Sequence, residues 1–526
     1  MNKYLIHLLI SFISGALYAL AYPSSLFKGV FLFGFLSTAI LLHLIVQYTD
    51  WRKLFGLVLI HNLGLNLVGY YWIPHTLQEF GALPVWISHI LALFFSLILQ
   101  PYLFFAITAW WAWKKYGKKE ITPEQQMFVF AAGLTLFEIF APQQFPSYAG
   151  APWLHVAPYL GLAPIGGIYL YSFITYLVSY EMGRLFRKRR PTPLVWSTLS
   201  IFLLLNYTLK LSPLTGEKSV HVRIVQANIG NFLKLESEKS QETALQEVID
   251  RYWRLSLLAP KQPIDLIVWP ETAYPNSFNG GESWVPRVFT DIMKRMNAEM
   301  LIGGYDHHPD KSPFDFIESE YNAAVLMSEQ KVSSIYHKNI LIPFGETLPF
   351  GPLNKAVISM VPTVSLFARG EGTPQMKLKS GHGVITPICY EILESGFTRK
   401  LLNAHEGSDI IVNLTNDSWY GETAEPFQHL FLAKWRALEF GKPIIRSTNT
   451  GISSVIYPDG AESPRLNNGE EKVLDVELKL PEHIAPTIYQ RFGVSIVLLI
   501  MIILLGLIFW KKQIPPSRGR GVEEPQ

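Results

Sequence analysis

The first two hundred residues alternate apolar runs with short polar loops, and each run is near the length of about 20 residues that a helix needs to cross a bilayer. Seven such runs fall near 5–22, 29–47, 54–73, 85–113, 127–141, 160–182 and 193–211, and an eighth near 494–510. Between about 220 and 480 the pattern changes. Short β-branched runs at 221–227, 265–269, 300–303, 323–327, 383–389 and 409–414 predict buried strands, and apolar positions at helical spacing predict helices at 241–256 and 427–440. Strands interleaved with helices predict a layered α/β domain. The expected organisation is a seven-helix transmembrane body over 1–212, an outer catalytic domain over 213–485, and a closing transmembrane helix with a tail over 486–526.

Composition agrees with a membrane part. Of the 526 residues, 49% are apolar and only 17% charged, against roughly a quarter charged in soluble domains. The first run is read as retained, because no small-residue cleavage site follows it. Lys and Arg then set the orientation, since basic residues in short loops stay cytoplasmic. Lys3, Arg52 and Lys53, the lysines at 114, 115, 118 and 119, Arg184 with Arg187 to Arg190, and Lys511, Lys512, Arg518 and Arg520 all fall on one side, with Lys28 the lone exception. Both termini are therefore expected in the cytoplasm, and 213–485 outside it. A net charge of +3 without a basic stripe gives no expectation of nucleic acid. The single cysteine excludes an internal disulfide and a cysteine-based zinc site; no metal and no cofactor is expected.

Three reactive side chains stand where predicted strands end: Glu271 after Leu266 to Pro270, Lys338 after Ser334 to His337, and Cys389 after Val384 to Ile388. A strand turning into a helix at Cys389 would place the thiol at a helix N-terminus, which favours a thiolate and offers backbone N–H groups to an oxyanion. Singly, each has an ordinary structural use: a buried small hydrophobe, a solvated surface charge, a local cap. Glu138 lies inside the fifth run, where a carboxylate is costly. Trp153 precedes the sixth, as an interfacial anchor or a contact for a lipid substrate.

Taken in order, Trp269-Pro270-Glu271, His337-Lys338 with Pro343-Phe344-Gly345-Glu346, and Ile388-Cys389-Tyr390-Glu391 resemble the nitrilase superfamily. The stretch Thr415 to Gly421, Gln428-His429-Leu430 and Arg446 to Gly451 are similar to its membrane branch, the apolipoprotein N-acyltransferase family. The resemblance implies an αββα domain joined to eight transmembrane helices, in a monomer of the bacterial inner membrane with its catalytic domain in the periplasm. It also implies transfer of an acyl chain from a phospholipid, through a Cys389 thioester, to the amine of a diacylglyceryl-cysteine on an apolipoprotein. Glu271 would be the base and Lys338 an oxyanion holder, supported by Glu346, Tyr390 and Glu391. Thr347 and Ala141 depart from residues common in the family, an aromatic and an arginine. The apolar stretch 350–367 is a candidate lid. Two other readings use the same residues differently: a membrane-tethered amidase that releases the acyl group to water, and a transporter with an inactive outer domain. The transporter needs paired broken helices and mid-membrane charges, and only Glu138 comes near that.

Overall fold

Glycine brings the first and third helices into backbone contact. In the computed structural model, a Cβ on Gly15 of α1 (Lys3–Ala19) would lie 1.8 Å from the His61 carbonyl oxygen, and one on Gly64 of α3 (Trp51–Gly69) 2.1 Å from that of Phe12. Small residues let helices approach this closely in apolar surroundings, where packing rather than water expulsion drives association. The structure describes residues 2–79, 83–117, 121–238, 242–278, 285–310, 318–343, 345–348, 354 and 366–510. Apart from Asn354, Leu366 and Phe367, the candidate lid at 350–367 lies outside them.

The body continues with α2 (Phe31–Ile45), α4 (Ile73–Glu79), α5 (Val85–Phe94), α6 (Pro101–Tyr116), α7 (Pro123–Phe140), α8 (Ala163–Phe186) and α9 (Pro193–Thr208). The run expected as one helix at 85–113 is two, bent by 41° ahead of Pro101, which has no N–H to extend the preceding ladder. A second bend, of 65°, separates α3 from α4. Among the described residues no single helix is long and apolar enough to cross a membrane, whereas these two bent pairs are so together. Helix α8 breaks at Gly167, with φ 57° and ψ −169°. A Cβ there would strike the ring of Tyr489 at 2.5 Å.

The second half forms two sheets, with strand orders β11-β1-β2-β3-β4-β5 and β10-β9-β8-β7-β6. The first contains β1 (Lys218–Gln226), β2 (Leu266–Trp269), β3 (Glu299–His307), β4 (Glu320–Ser328), β5 (Lys331–His337) and β11 (Lys472–Leu480). The second contains β6 (Met376–Lys377), β7 (Gly383–Ile385), β8 (Ser408–Thr415), β9 (Ile444–Thr448) and β10 (Ser454–Ile456). Each sheet has a parallel centre, β1-β2-β3 and β7-β8-β9, with antiparallel edges.

The period-two alternation of strands decides the layers. Leu266, Val268, Leu301, Ala324 and Leu326 share one core with Ile410, Val412 and Ile445 of the other sheet. Their neighbours Ile267, Trp269, Met300, Ile302 and Val325 face the opposite way, onto α11 (Glu242–Ser256) and α12 (Arg287–Met296); α10 (Asn231–Glu238) precedes this pair. The second sheet is covered by α13 (Ser395–Ala404) and α14 (Glu425–Phe440), which completes an αββα sandwich. Helix α14 also rests on the body. Trp435 Nε1 donates to the Ala151 carbonyl at 3.1 Å, and Gln428 Nε2 to that of Gly69 at 2.9 Å. Glu439 accepts the Ile168 N–H freed at the α8 break, at 3.0 Å. Two further helices, α15 (Ile488–Phe492) and α16 (Ser495–Trp510), end the described chain.

Candidate active site

Strand β2 is buried along its whole length and stops where Pro270 withholds an N–H. The chain turns through Thr272 at φ 47° and leaves Glu271 buried, beside β3. Gly303 of β3 permits the turn, because a Cβ there would lie 2.2 Å from the Pro270 carbonyl oxygen. Strand β5 ends at His337 and delivers Lys338, whose side chain is fully buried. Its Nζ lies 3.0 Å from Glu271 Oε1 and 2.7 Å from Glu346 Oε1. Asn322 Nδ2 donates to the same two carboxylates at 2.8 and 3.2 Å, and the Asn416 N–H donates to Glu271 Oε2 at 2.9 Å. Burial lowers the Lys338 pKa, but the charges of Glu271 and Glu346 outweigh it and hold the ammonium well above its ordinary range.

Cys389 adopts φ 50°, the left-handed region that a residue with a Cβ occupies only under constraint. The structure corrects the sequence expectation here. Strand β7 stops at Ile385, and Cys389 opens a 3₁₀ turn of five residues, Cys389–Leu393, rather than an α-helix. Such a turn carries little dipole, so the expected helix-terminus stabilisation of a thiolate is absent. Burial and the nearby Glu271 charge push the thiol well above its ordinary range, against Lys338. These surroundings favour the neutral thiol over the thiolate.

Glu391, two residues on, is saturated with donors. Its Oε1 accepts the N–H groups of Asn339 (2.6 Å) and Ile340 (2.8 Å), and its Oε2 accepts the Ile388 N–H and the Tyr336 hydroxyl, both at 2.8 Å. Burial nevertheless raises its carboxyl to about 7. Glu346 closes its own turn by accepting the Ile342 N–H at 3.0 Å. Tyr390 reaches out of the domain, its hydroxyl donating to the Gln143 carbonyl in the loop after α7 at 3.2 Å. Trp153 is 4% exposed, packs against Phe31, Phe35, Tyr171 and Phe202, and donates to Thr175 at 2.9 Å. The structure thus places it in the interior of the body. Glu138 Oε2 accepts the Tyr176 hydroxyl at 2.5 Å and the Ala149 N–H at 3.0 Å, tying α7 to α8 and to the following loop.

Sequence reasoning gave no role to Asn322, Asn413, Asp417 or Arg446, all of which are buried around the site. Their signal was present: Asn322, Asn413 and Arg446 each interrupt an apolar strand, in Asn-Ala-Ala-Val, Ile-Val-Asn-Leu and Ile-Ile-Arg-Ser. A buried polar group is kept only where it has partners. Asp417, Glu425 and His429 bring one donor atom each within 4.8 Å of one another, the one such metal-capable group among the described residues. Arg446 pairs with Asp417 at 3.0 Å and already supplies a cation there.

Two family models match the chain: the carbon-nitrogen hydrolase family over residues 221–485, and the apolipoprotein N-acyltransferase N-terminal domain over residues 14–180. An apolipoprotein N-acyltransferase of Bdellovibrio bacteriovorus is 33% identical over 422 residues, covering 75% of this chain and 74% of its own. One of Azotobacter vinelandii is 29% identical, covering 82% of each chain. A solved amidase of the nitrilase superfamily from Nesterenkonia is 17% identical with a TM-score of 0.35, covering 50% of this chain and 93% of its own. With both halves matched and a relative at this identity along three quarters of its length, the chain belongs to the apolipoprotein N-acyltransferase family.

Proposed function

We propose that the chain transfers a fatty acyl group from a membrane phospholipid, through a thioester on Cys389, to the N-terminal amine of a diacylglyceryl-cysteine on an apolipoprotein. One observation carries the reading: a neutral, buried thiol held in a strained turn, under the charges of Glu271 and of an ammonium that stays protonated. Glu271 takes the thiol proton as sulfur attacks the ester carbonyl. The Lys338 charge opposes the negative charge that grows on the carbonyl oxygen. The C–O bond breaks, the lysophospholipid leaves with the proton, and the acyl chain remains on sulfur. The lipoprotein amine then attacks the thioester, Glu271 accepts its proton, and the C–S bond breaks to restore the thiol. Glu346 and Asn322 hold Lys338 and Glu271 in register. Glu391 and Tyr390 fix the turn on its two sides.

In this reading residues 1–212 are the membrane body, 213–485 the catalytic domain and 486–526 the closing segment, with eight passes and both termini in the cytoplasm. The one-sided distribution of Lys and Arg supports the orientation, and the bent pairs α3–α4 and α5–α6 supply two of the passes. The protein acts as a monomer at the outer face of the inner membrane. A reporter fused after Leu211 should be active only outside the cytoplasm.

The deciding experiment is mass spectrometry of the purified chain after exposure to phospholipid. The peptide holding Cys389 should gain one acyl mass, labile to hydroxylamine and discharged onto an added diacylglyceryl-peptide. Discharge to free fatty acid at the same rate without the peptide would establish the amidase reading instead. No acyl gain on that peptide, with transfer still occurring, would remove Cys389 from the reaction.

A further inference from the structure

Behind Cys389 lies a chain of buried polar groups that the reaction as described does not use. Asn413 of β8, Arg446 of β9 and Asp417 are each 0% exposed. Asn413 Nδ2 donates to the carbonyls on either side of the turn, Pro387 at 2.9 Å and Cys389 at 3.3 Å. Its Oδ1 accepts from Arg446 Nη1 at 2.6 Å, and Arg446 Nη2 pairs with Asp417 Oδ2 at 3.0 Å. Asp417 is fixed in turn. His429 Nδ1 lies 3.4 Å from its Oδ1, and Gly451 packs so closely that a Cβ there would fall 2.1 Å from its Oδ2.

Two unfavourable features meet here. An ion pair stripped of water is commonly no better than apolar residues of the same volume, and a left-handed cysteine persists only when its surroundings over-determine it. A continuous run of hydrogen bonds joins the first to the second. We propose that Asn413, locked by Arg446 and Asp417, braces the Cys389 turn, and that Asn413 is therefore a positioning residue for the nucleophile of acyl transfer. The inference rests on Cys389 being that nucleophile.

The physical argument is one of alternatives. If the two N–H bonds of Asn413 are removed, the Pro387 and Cys389 carbonyls are buried without these donors, and the turn can relax toward negative φ. That relaxation swings Sγ away from Glu271 and Lys338, and a displacement of about 1 Å at a reacting atom reduces rates by about 100-fold. Arg446 acts at one remove. It presents a planar fork whose two arms serve Asn413 and Asp417 together, which a lysine does not reproduce.

The test uses the full chain in phospholipid nanodiscs. Cys389 is the sole cysteine, so thiol labelling in denaturant counts chains directly. Asn413→Asp keeps an oxygen for Arg446 but loses both N–H donors. Per labelled thiol, its acylation rate should fall by about 100-fold, with KM for phospholipid near the wild-type value, a loss far beyond the fraction unfolded at the assay temperature even though the unfolding temperature drops. Arg446→Lys should show a smaller loss of kcat, about tenfold by the same reasoning, again at constant KM. If Asn413→Asp does not fold, Arg446→Lys carries the test alone. Wild-type acylation per thiol in the folded variants overturns the brace, as does a loss that only tracks the fraction unfolded. Retained transfer in Cys389→Ala is a separate outcome that overturns the underlying reading of the nucleophile.

Discussion

The carboxylate of Glu391 and the hydroxyl of Tyr336 meet at 2.8 Å, fixing the turn that carries Cys389 to the strand that delivers Lys338. The Oε1 of Glu391 also accepts the N–H groups of Asn339 and Ile340. Glu391→Gln sets an amide NH₂ against one of these pairs of donors and leaves buried groups unsatisfied, each at about 1–3 kcal/mol. Denaturant titration should show a loss of about 2–4 kcal/mol for Glu391→Gln and about 1 kcal/mol for Tyr336→Phe. Equal losses for the two variants would contradict the four-donor account.

The same carboxylate gives a pH dependence with a definite sign. Burial raises Glu391 to about 7 in the folded chain, from 4.5. The folded state holds the proton longer, so this contribution to stability is complete below about 4.5 and is lost as pH rises through about 7, by at most about 1.4 kcal/mol per pH unit. Glutamine does not titrate. The stability of the wild type relative to Glu391→Gln should therefore decline between about pH 5 and pH 7; a flat difference would show that the donors hold Glu391 ionised throughout.

What could be read in the sequence follows from burial. Strands β2, β3, β4 and β8 are covered on both faces and spell continuous apolar runs, which the chain announces without context. Strand β11 is an edge with an alternating, half-exposed pattern, and β6 and β10 span two or three residues each, so periodicity gives them little voice, whereas the strand expected at 383–389 is present as β7 but ends at Ile385. Glu271, Lys338 and Cys389 were legible because strand ends and motif order mark them. The thiol's protonation was not. It depends on which charges surround Cys389 and on a turn too short to act as a helix, and both are tertiary facts.

Removing the Glu271 charge should separate ionisation of the thiol from catalysis. Glu271 raises the Cys389 pKa and Lys338 lowers it, so in Glu271→Gln the midpoint for alkylation of Cys389 by iodoacetamide should move to lower pH. Thioester formation from phospholipid should nevertheless fall by about 10²–10⁴-fold, the usual contribution of a positioned base. An alkylation midpoint that stays put or rises would show that Glu271 does not act on the thiol through its charge.

Lys338 offers the sharpest separation of structure from chemistry. Its ammonium is the cation between Glu271 and Glu346, at 3.0 and 2.7 Å, in a site where all three are buried. Lys338→Met fills a similar volume but leaves two carboxylates facing each other without that cation, which should destabilise the chain by about 3–5 kcal/mol. Adding Glu346→Gln removes one of the charges while keeping an amide oxygen for the Ile342 N–H, at the expense of the weaker bond from Asn322. The double variant should regain most of that stability, since the remaining Glu271 keeps its bonds from Asn322 and the Asn416 N–H. Activity should not return, because nothing then opposes the charge on the oxyanion. Thermal unfolding and single-turnover acylation on the single and double variants read the two effects independently. Recovery of acylation together with stability would mean that Lys338 serves the fold alone, and the oxyanion role would pass to backbone N–H groups of the turn.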